Sequence, residues 1–272
     1  MNKRRLLFRL VPIGIAVLVV AFQYLSSERI TNEAGRTARH ALSPQQEERL
    51  GLQSYQQVLA EVETLESGSE YELVKRVAQR LAAATGPAAK GFDWRVSLVR
   101  SPQVNAFCLP GGKIVVYTGI LPVARTEAGL ATVMGHEMAH ATLRHGSERL
   151  LQQKATQTLM TGAQVSVGDM SYEQQRAIMG AIGAGAQYGV LLPFSRDHES
   201  EADKVGLLYM ARAGYDPRES VEFWRRMSEA TAGGGKPKEF MSTHPSDSTR
   251  IAQLQALLPA AVAEYEKATK GR

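Results

Sequence analysis

The chain opens on an apolar block. After Lys3, Arg4 and Arg5 come Leu6-Leu7-Phe8 and Arg9, and from Leu10 to Phe22 no charged or strongly polar residue occurs. Counting from Leu6 to Leu25, with Arg9 snorkelling to the interface, gives the roughly 20 residues that cross a bilayer as a helix. Ala21, Ser26 and Ser27 supply no pair of small residues at the spacing a signal peptidase needs, and no cysteine lies near for lipid attachment. Residues 1–28 are therefore expected to be an uncleaved signal-anchor, with a cleaved signal peptide as the alternative. The basic flank stays inside and residues 29–272 are exported as one domain.

Beyond the block the pattern turns amphipathic. Ser43-Pro44 followed by Gln45-Gln-Glu-Glu starts a polar helix, continued to about Leu65 by Leu50, Tyr55, Val58 and Leu59. Tyr71 to Ala84 is a second helix, stopped by Gly86-Pro87. The period then falls to two. Trp94 to Val99 alternates, with Trp94, Val96 and Leu98 on one face, and Asn105–Leu109 and Lys113–Tyr117 are strands joined by the Pro110-Gly111-Gly112 turn. From Thr126 the chain is helical almost to its end. Gly162, Gly168, Gly180, Gly183 and Gly185 loosen the middle of that stretch, and Gly233–Pro237 forms a loop. Ser246 or Ser248 caps a final helix interrupted at Pro259. A small sheet among many helices predicts an α+β fold, mainly α.

Composition removes several classes. Hydrophobic residues are 44% and charged residues 22% of 272, which is globular rather than disordered. One cysteine, Cys108, excludes a disulfide framework and a Cys-rich zinc module. The net charge of +5 belongs to the N-terminus. Without Lys3, Arg4, Arg5 and Arg9 the bases nearly balance the 27 acids, and no basic stripe with interleaved aromatics exists. Nucleic acid is not an expected partner.

The chemistry concentrates in His136-Glu137-Met138-Ala139-His140, an HExxH motif in a predicted helix from Leu130 to Leu151. Residues four apart on a helix project from one face, so both imidazoles converge, and imidazole nitrogen suits zinc. Glu137, one residue on, is placed to act as general base on an attacking water. Burying two histidines and an acid among Ala131, Val133, Met134 and Met138 would be costly without a metal or partners.

A catalytic zinc needs a third protein ligand. The extended metzincin pattern fails, because positions 143 and 146 are Leu143 and Gly146, and His145 lies one place off. The best candidate is Glu199 in Phe194-Ser-Arg-Asp-His-Glu-Ser-Glu-Ala-Asp203, on a predicted helix from about Asp197 to Arg212. Asp203 shares its face and suits a carboxylate that orients a zinc histidine. Glu201 is rotated about 200° away, so its loss should not weaken zinc. Ala202 and Gly206 form a small surface for close helix approach. His198 is expected to face solvent.

HExxH with the Leu192–Asp203 block resembles the zinc gluzincin peptidases of the HtpX and CAAX prenyl protease family, in particular the bacterial BepA and LoiP branch of envelope quality-control peptidases. Asn105-Ala-Phe-Cys-Leu-Pro-Gly-Gly112 and Ser242-Thr-His-Pro245 with Arg250 are also similar to that branch. The resemblance covers about Ser43 to Leu258. It implies one zinc held by His136, His140 and Glu199, with Glu137 as base and Asp203 as the second acid of the downstream motif. No tandem helical repeats follow and no lipobox cysteine is present, so the outer-membrane location and partners of that branch do not carry over.

Two further features are expected to serve the site. The hairpin of Asn105–Leu109 and Lys113–Tyr117 offers an edge to an extended substrate, with Cys108 a small buried hydrophobe rather than a ligand. His244 is placed either to cap the metal as a fourth ligand at rest or to donate to the developing oxyanion. The expected protein is a membrane-anchored zinc endopeptidase, facing the periplasm of a bacterial envelope and acting on unfolded or misassembled proteins. The alternative is a non-proteolytic chaperone or assembly factor with a structural zinc.

Overall fold

A computed structural model describes residues 3–180, 194–232, 238–244 and 249–270. The chain divides into two compact units: residues 1–31, 37–43 and 147–192, and residues 32–36, 44–146 and 193–272.

The first unit holds α1 (Lys3–Ser26), most of α6 (His145–Ser166), and a two-stranded antiparallel pair, β1 (Glu28–Thr31) and β2 (Thr37–His40). Helical backbone at 172–180 is α7. The stretch Phe8–Ser26 of α1 is long and apolar enough to cross a membrane. Gly162 of α6 lies against it, since a Cβ there would stand 2.5 Å from the Ala16 Cβ. Arg9 pairs with Asp169 at 2.8 Å.

The second unit packs helices on one small sheet. Its elements are α2 (Pro44–Ala60), β3 (Thr64–Leu65), α3 (Ser69–Ala84), β4 (Arg95–Val99), β5 (Ala106–Leu109), β6 (Lys113–Tyr117), α4 (Leu121–Ala124), α5 (Glu127–Thr142), α8 (Arg196–Arg212), α9 (Glu219–Ala232), α10 (Lys238–Thr243) and α11 (Arg250–Lys270). The strand order is β3-β4-β6-β5. β4 and β6 are parallel, and β3 and β5 flank them antiparallel, so β5 is an edge. The expected fold, mainly helical with a small sheet, is the one observed.

α5 is the centre of this unit. Every residue from Gly129 to Thr142 is buried, as an all-round apolar helix requires. Thr126 caps it by accepting from the Gly129 N–H at 2.9 Å. Leu130, Met134 and Met138 meet Val77 and Leu81 of α3, Ile114 and Val116 of β6, and Phe223 and Trp224 of α9 in one core. Each such side chain stabilises the fold by about 1.5–3 kcal/mol.

Several expectations are corrected here. The predicted helix from Leu130 to Leu151 is two helices, broken at Arg144, whose φ is +60°. Arg144 is tied there by Glu47 of α2, with Nε 3.0 Å from both carboxylate oxygens and the acid buried. A long-range ion pair thus overrides the local helical pattern. α2 ends at Ala60, and Thr64-Leu65 pairs with β4 instead of prolonging the helix. Pro259 lies inside α11 and does not end it. The predicted loop Gly233–Pro237, Gly183, Gly185 and the proposed caps Ser246 and Ser248 fall outside the described residues.

Candidate metal centre

Two glycines set the distance between the helices that carry the site. A Cβ on Gly206 of α8 would lie 2.8 Å from the Gly135 carbonyl carbon and from the His136 nitrogen of α5. The backbones therefore cross in contact, as the small Ala202–Gly206 surface predicts. Ser195 starts α8, accepting from the His198 N–H at 3.2 Å. Glu199 and Asp203, one turn apart and just before the crossing, then face His136 and His140 on α5.

His136 Nε2 and His140 Nε2 stand 3.1 Å apart. Glu199 places Oε2 at 3.4 Å from the first and Oε1 at 3.4 Å from the second. His244, after α10, puts Nδ1 3.0 Å from Glu199 Oε1 and 3.4 Å from His136 Nε2. One donor atom from each of these four buried residues lies within 4.8 Å of every other.

The protonation pattern fits a cation. Asp203 Oδ1 accepts from His136 Nδ1 at 2.9 Å, which leaves Nε2 bare in the neutral ring. Burial and the Arg250 charge press His136 toward neutrality, yet its contacts with Asp203 and Glu199 outweigh them and hold its pKa above the ordinary range. Burial drives His140 well below that range. Burial also opposes ionisation of Glu199, but hydrogen bonds from His136, His140 and His244 hold its carboxyl far below the usual value. The cluster favours positive charge where bare nitrogens and a carboxylate converge, which is the donor chemistry of zinc.

Glu137 is aimed at the same space without being a member of the donor set. Its Oε1 is buried and makes no hydrogen bond among the described residues, with His244 Nε2 at 3.5 Å. Burial pushes its pKa up to about 7, against the opposing charge of His244. A carboxylate titrating near neutrality beside a metal is suited to exchanging a proton with water.

Other side chains complete the surroundings. Arg250 Nη2 donates to Asp203 Oδ1 at 2.5 Å and its Nη1 reaches Glu199 Oε2 at 3.4 Å. Its guanidinium lies 3.4 Å over the Trp224 ring. Phe194 packs on His140 with centroids 4.1 Å apart, and Phe240 stacks on His244 at 4.6 Å. Cys108 is part-buried against the main core and outside the donor cluster, with its thiol pKa raised by burial.

All six sequence-predicted site residues, His136, Glu137, His140, Glu199, Asp203 and His244, meet at this point. One expectation fails. His198 is buried rather than solvent-facing and stacks on His145 with centroids 4.4 Å apart. Glu201 does lie off the donor face, but it is built into the site's support. His145 Nδ1 lies 3.0 Å from His140 Nδ1, and His145 Nε2 lies 3.1 Å from Glu201 Oε2. Burial pushes His145 down to about 4 despite Glu201, and hydrogen bonds from His145, Arg36 and Asn32 overcome burial to hold Glu201 at about 2. Sequence spacing does not reveal His145, because a continuous helix would carry it away from His140. The turn at Arg144 brings it back.

An HExxH helix crossed by a glutamate-bearing helix, beside a small sheet whose last strand is β5, is the arrangement of a zincin-like metallopeptidase domain. Residues 69–258 match the model of Peptidase family M48, and the chain belongs to that family of zinc metallopeptidases. It is 37% identical over 223 residues to the fission yeast (Schizosaccharomyces pombe) mitochondrial metalloendopeptidase OMA1, covering 81% of this chain and 63% of that protein. With human OMA1 the identity is 32% over 270 residues, 96% of this chain and 51% of that one. With the beta-barrel assembly-enhancing protease of Escherichia coli it is 26% over 239 residues, 87% and 48%. The chain thus spans about half to two thirds of the length of these relatives. The relatives it matches within that family are themselves named metalloendopeptidases. The expected family stands. The expected bacterial branch does not stand out within it, since the identities to OMA1 proteins exceed that to the assembly-enhancing protease.

Proposed function

We propose that this protein is a membrane-anchored zinc endopeptidase of protein quality control, cutting unfolded or misassembled chains on the exported side of a bacterial inner membrane. The observation that carries the enzymatic reading is the buried Glu137 Oε1, which makes no hydrogen bond among the described residues, beside the converging His136, His140 and Glu199 donors. A structural zinc needs no such base, so the chaperone alternative leaves Glu137 without a purpose. The apolar helix supports anchoring. Relatives named for mitochondria and for assembly of β-barrels support an organellar or envelope setting.

In this reading His136, His140 and Glu199 are the ligands, and Asp203 and Arg250 hold the first histidine and the glutamate in place. Zinc, when bound, polarises the scissile carbonyl and acidifies the attacking water. Glu137 takes one proton from that water as its oxygen bonds to the carbonyl carbon. The C–N bond then breaks and Glu137 returns the proton to the leaving nitrogen. The β5 edge lies beside α5 and supports an extended substrate by strand pairing. His244 puts a fourth donor atom within 4.8 Å of the other three, and as a ligand it would take the position that a catalytic zinc leaves to water. That geometry favours His244 as a resting cap over an oxyanion donor.

The test is proteolysis of casein by the wild type and by Glu137→Gln, with zinc content measured on both. Cleavage by the wild type alone at equal zinc supports the reading. Equal cleavage, or none by a zinc-loaded wild type, overturns it.

A further inference from the structure

His140 differs from His136 in what stands behind it. Behind His136 is a carboxylate, Asp203. Behind His140 is a second imidazole, and only behind that a carboxylate. The hydrogen-bond directions along this line are forced from its outer end. Glu201 accepts only, so His145 Nε2 at 3.1 Å carries the proton. A ring with its proton on Nε2 presents Nδ1 as the acceptor, and His140 Nδ1–H donates to it at 3.0 Å. His140 Nε2 is left unprotonated, facing His136 Nε2 and Glu199. In the opposite direction His145 would donate to His140, and the proton of His140 would occupy the donor position.

The outer end is itself built. The turn 32–36 between β1 and β2 belongs to the catalytic unit. Asn32 Nδ2 donates to Glu201 Oε2 at 3.0 Å, Arg36 Nη2 donates to it at 3.3 Å, and Arg36 Nε contacts Oε1. Asn32 also orders the turn, its Oδ1 accepting from the Arg36 N–H at 3.0 Å, while Gly35 takes φ +93°. His198 stacks on His145, which is fully buried, and keeps its ring plane fixed. A neighbouring residue of the turn, Glu33, contacts Tyr209, whose hydroxyl lies 2.9 Å from Thr142 at the end of the HExxH helix.

We infer that His145 and Glu201 are positioning residues that lock His140 in its metal-binding tautomer, and that the Asn32–Arg36 turn is a working part of the metal centre because it holds Glu201. The inference rests on the zinc-ligand reading above. It gives the segment following the membrane-crossing stretch a direct bearing on metal affinity, distinct from anchoring.

The experiment uses the full chain in detergent. Zinc affinity is read by competition with a chromogenic chelator, and the cobalt-loaded protein by its visible d–d absorption. The variants are Arg36→Ala, Arg36→Lys, Glu201→Gln and His145→Phe, with thermal stability measured on each. Outer partners of metal-bound histidines are worth about 10–100-fold in metal affinity. Glu201→Gln and His145→Phe should lose that much and shift the cobalt spectrum. Arg36→Ala should lose several-fold, and Arg36→Lys should restore most of it. Arg36 is part-exposed, so its variants carry the test even if His145→Phe does not fold. Unchanged affinity and spectrum in Arg36→Ala and Glu201→Gln, or lowered stability at wild-type affinity, overturns the inference. A wild type that binds no zinc, or a His136→Ala variant that binds it normally, overturns the ligand reading instead.

Discussion

Gly206 of α8 touches the backbone of Gly135 on α5, and any side chain at 206 would collide with it. A Cβ at that position would stand 2.8 Å from the Gly135 carbonyl carbon, and rigid backbone gives way poorly. Gly206→Ala should cost about 1–3 kcal/mol. It should also move Glu199 and Asp203 off His136 and His140, so zinc affinity falls along with stability. Calorimetric melting and chelator competition check this together. A variant that melts lower but binds zinc normally would show that the crossing serves packing alone.

Glu137→Gln separates chemistry from binding. The substitution keeps the side-chain shape and leaves His136, His140 and Glu199 untouched, so proteolysis should vanish with zinc retained. The same variant has a stability signature in metal-free protein. The Glu137 pKa is raised from 4.5 to about 7. The folded state therefore binds more protons than the unfolded one between those values, and stability falls as pH rises through that window. At about 1.4 kcal/mol per unit the ceiling is about 3 kcal/mol. Glu137→Gln should raise the melting temperature of the metal-free protein above pH 7, with the gain disappearing near pH 4.5. A gain independent of pH would remove the buried charge as its cause.

Helical spacing, read together with the HExxH motif, makes three of the four donors legible. His136 and His140, and Glu199 and Asp203, are pairs four apart, and four apart on a helix is one face whatever packs against it. What supports the donors is not legible in that way. Arg144 ends α5 because Glu47, nearly a hundred residues earlier, holds it, and no local signal marks that break. The β1–β2 pair is four residues a strand with one apolar residue in each, Ile30 and Ala38, too few to show the alternation that marks a half-buried strand. Helical phase places Glu201 correctly but hides its consequence, since the partners giving it a role, Asn32, Arg36 and His145, are distant in sequence.

Glu199→Gln and Glu201→Gln should accordingly differ in degree. Loss of the Glu199 charge removes a donor shared by His136, His140 and His244. Zinc should then fall below stoichiometric occupancy in dialysed protein. Glu201→Gln should retain near-stoichiometric zinc under those conditions and show its loss of about 10–100-fold only against a chelator. The reverse order would reassign the third ligand and the phase of α8.

Anchoring is checked by fractionation. A helix with Phe8–Ser26 in the bilayer should stay in the membrane pellet through high-salt and alkaline carbonate washes. In right-side-out vesicles the catalytic unit should be open to added protease. A soluble mature form beginning near Ser26 to Glu28 would replace the anchor with a cleaved signal.

His244 is the residue whose two roles differ in sign. Its Nδ1 lies 3.0 Å from Glu199 Oε1 and 3.4 Å from His136 Nε2, so it sits among the donors, while Nε2 lies 3.5 Å from the Glu137 oxygen. As a fourth ligand it fills the position that water and substrate need, and it draws Glu137 toward itself. Phe240 stacked behind its ring and Phe194 beside it favour that placement by burying the imidazole, which is 3% exposed. His244→Ala should then raise basal cleavage of casein, because removal of the ring reopens the fourth position and frees Glu137 for water. An oxyanion donor would behave oppositely, with the catalytic rate falling by about 10²–10³-fold and KM little changed. His244→Phe discriminates further. It keeps the packing against Phe240 and removes both nitrogens, so a cap that acts by coordination is lost while one that acts by bulk persists. Activation in both variants supports coordination, and activation in the alanine variant alone assigns the cap to bulk. A loss in both transfers His244 to the oxyanion role.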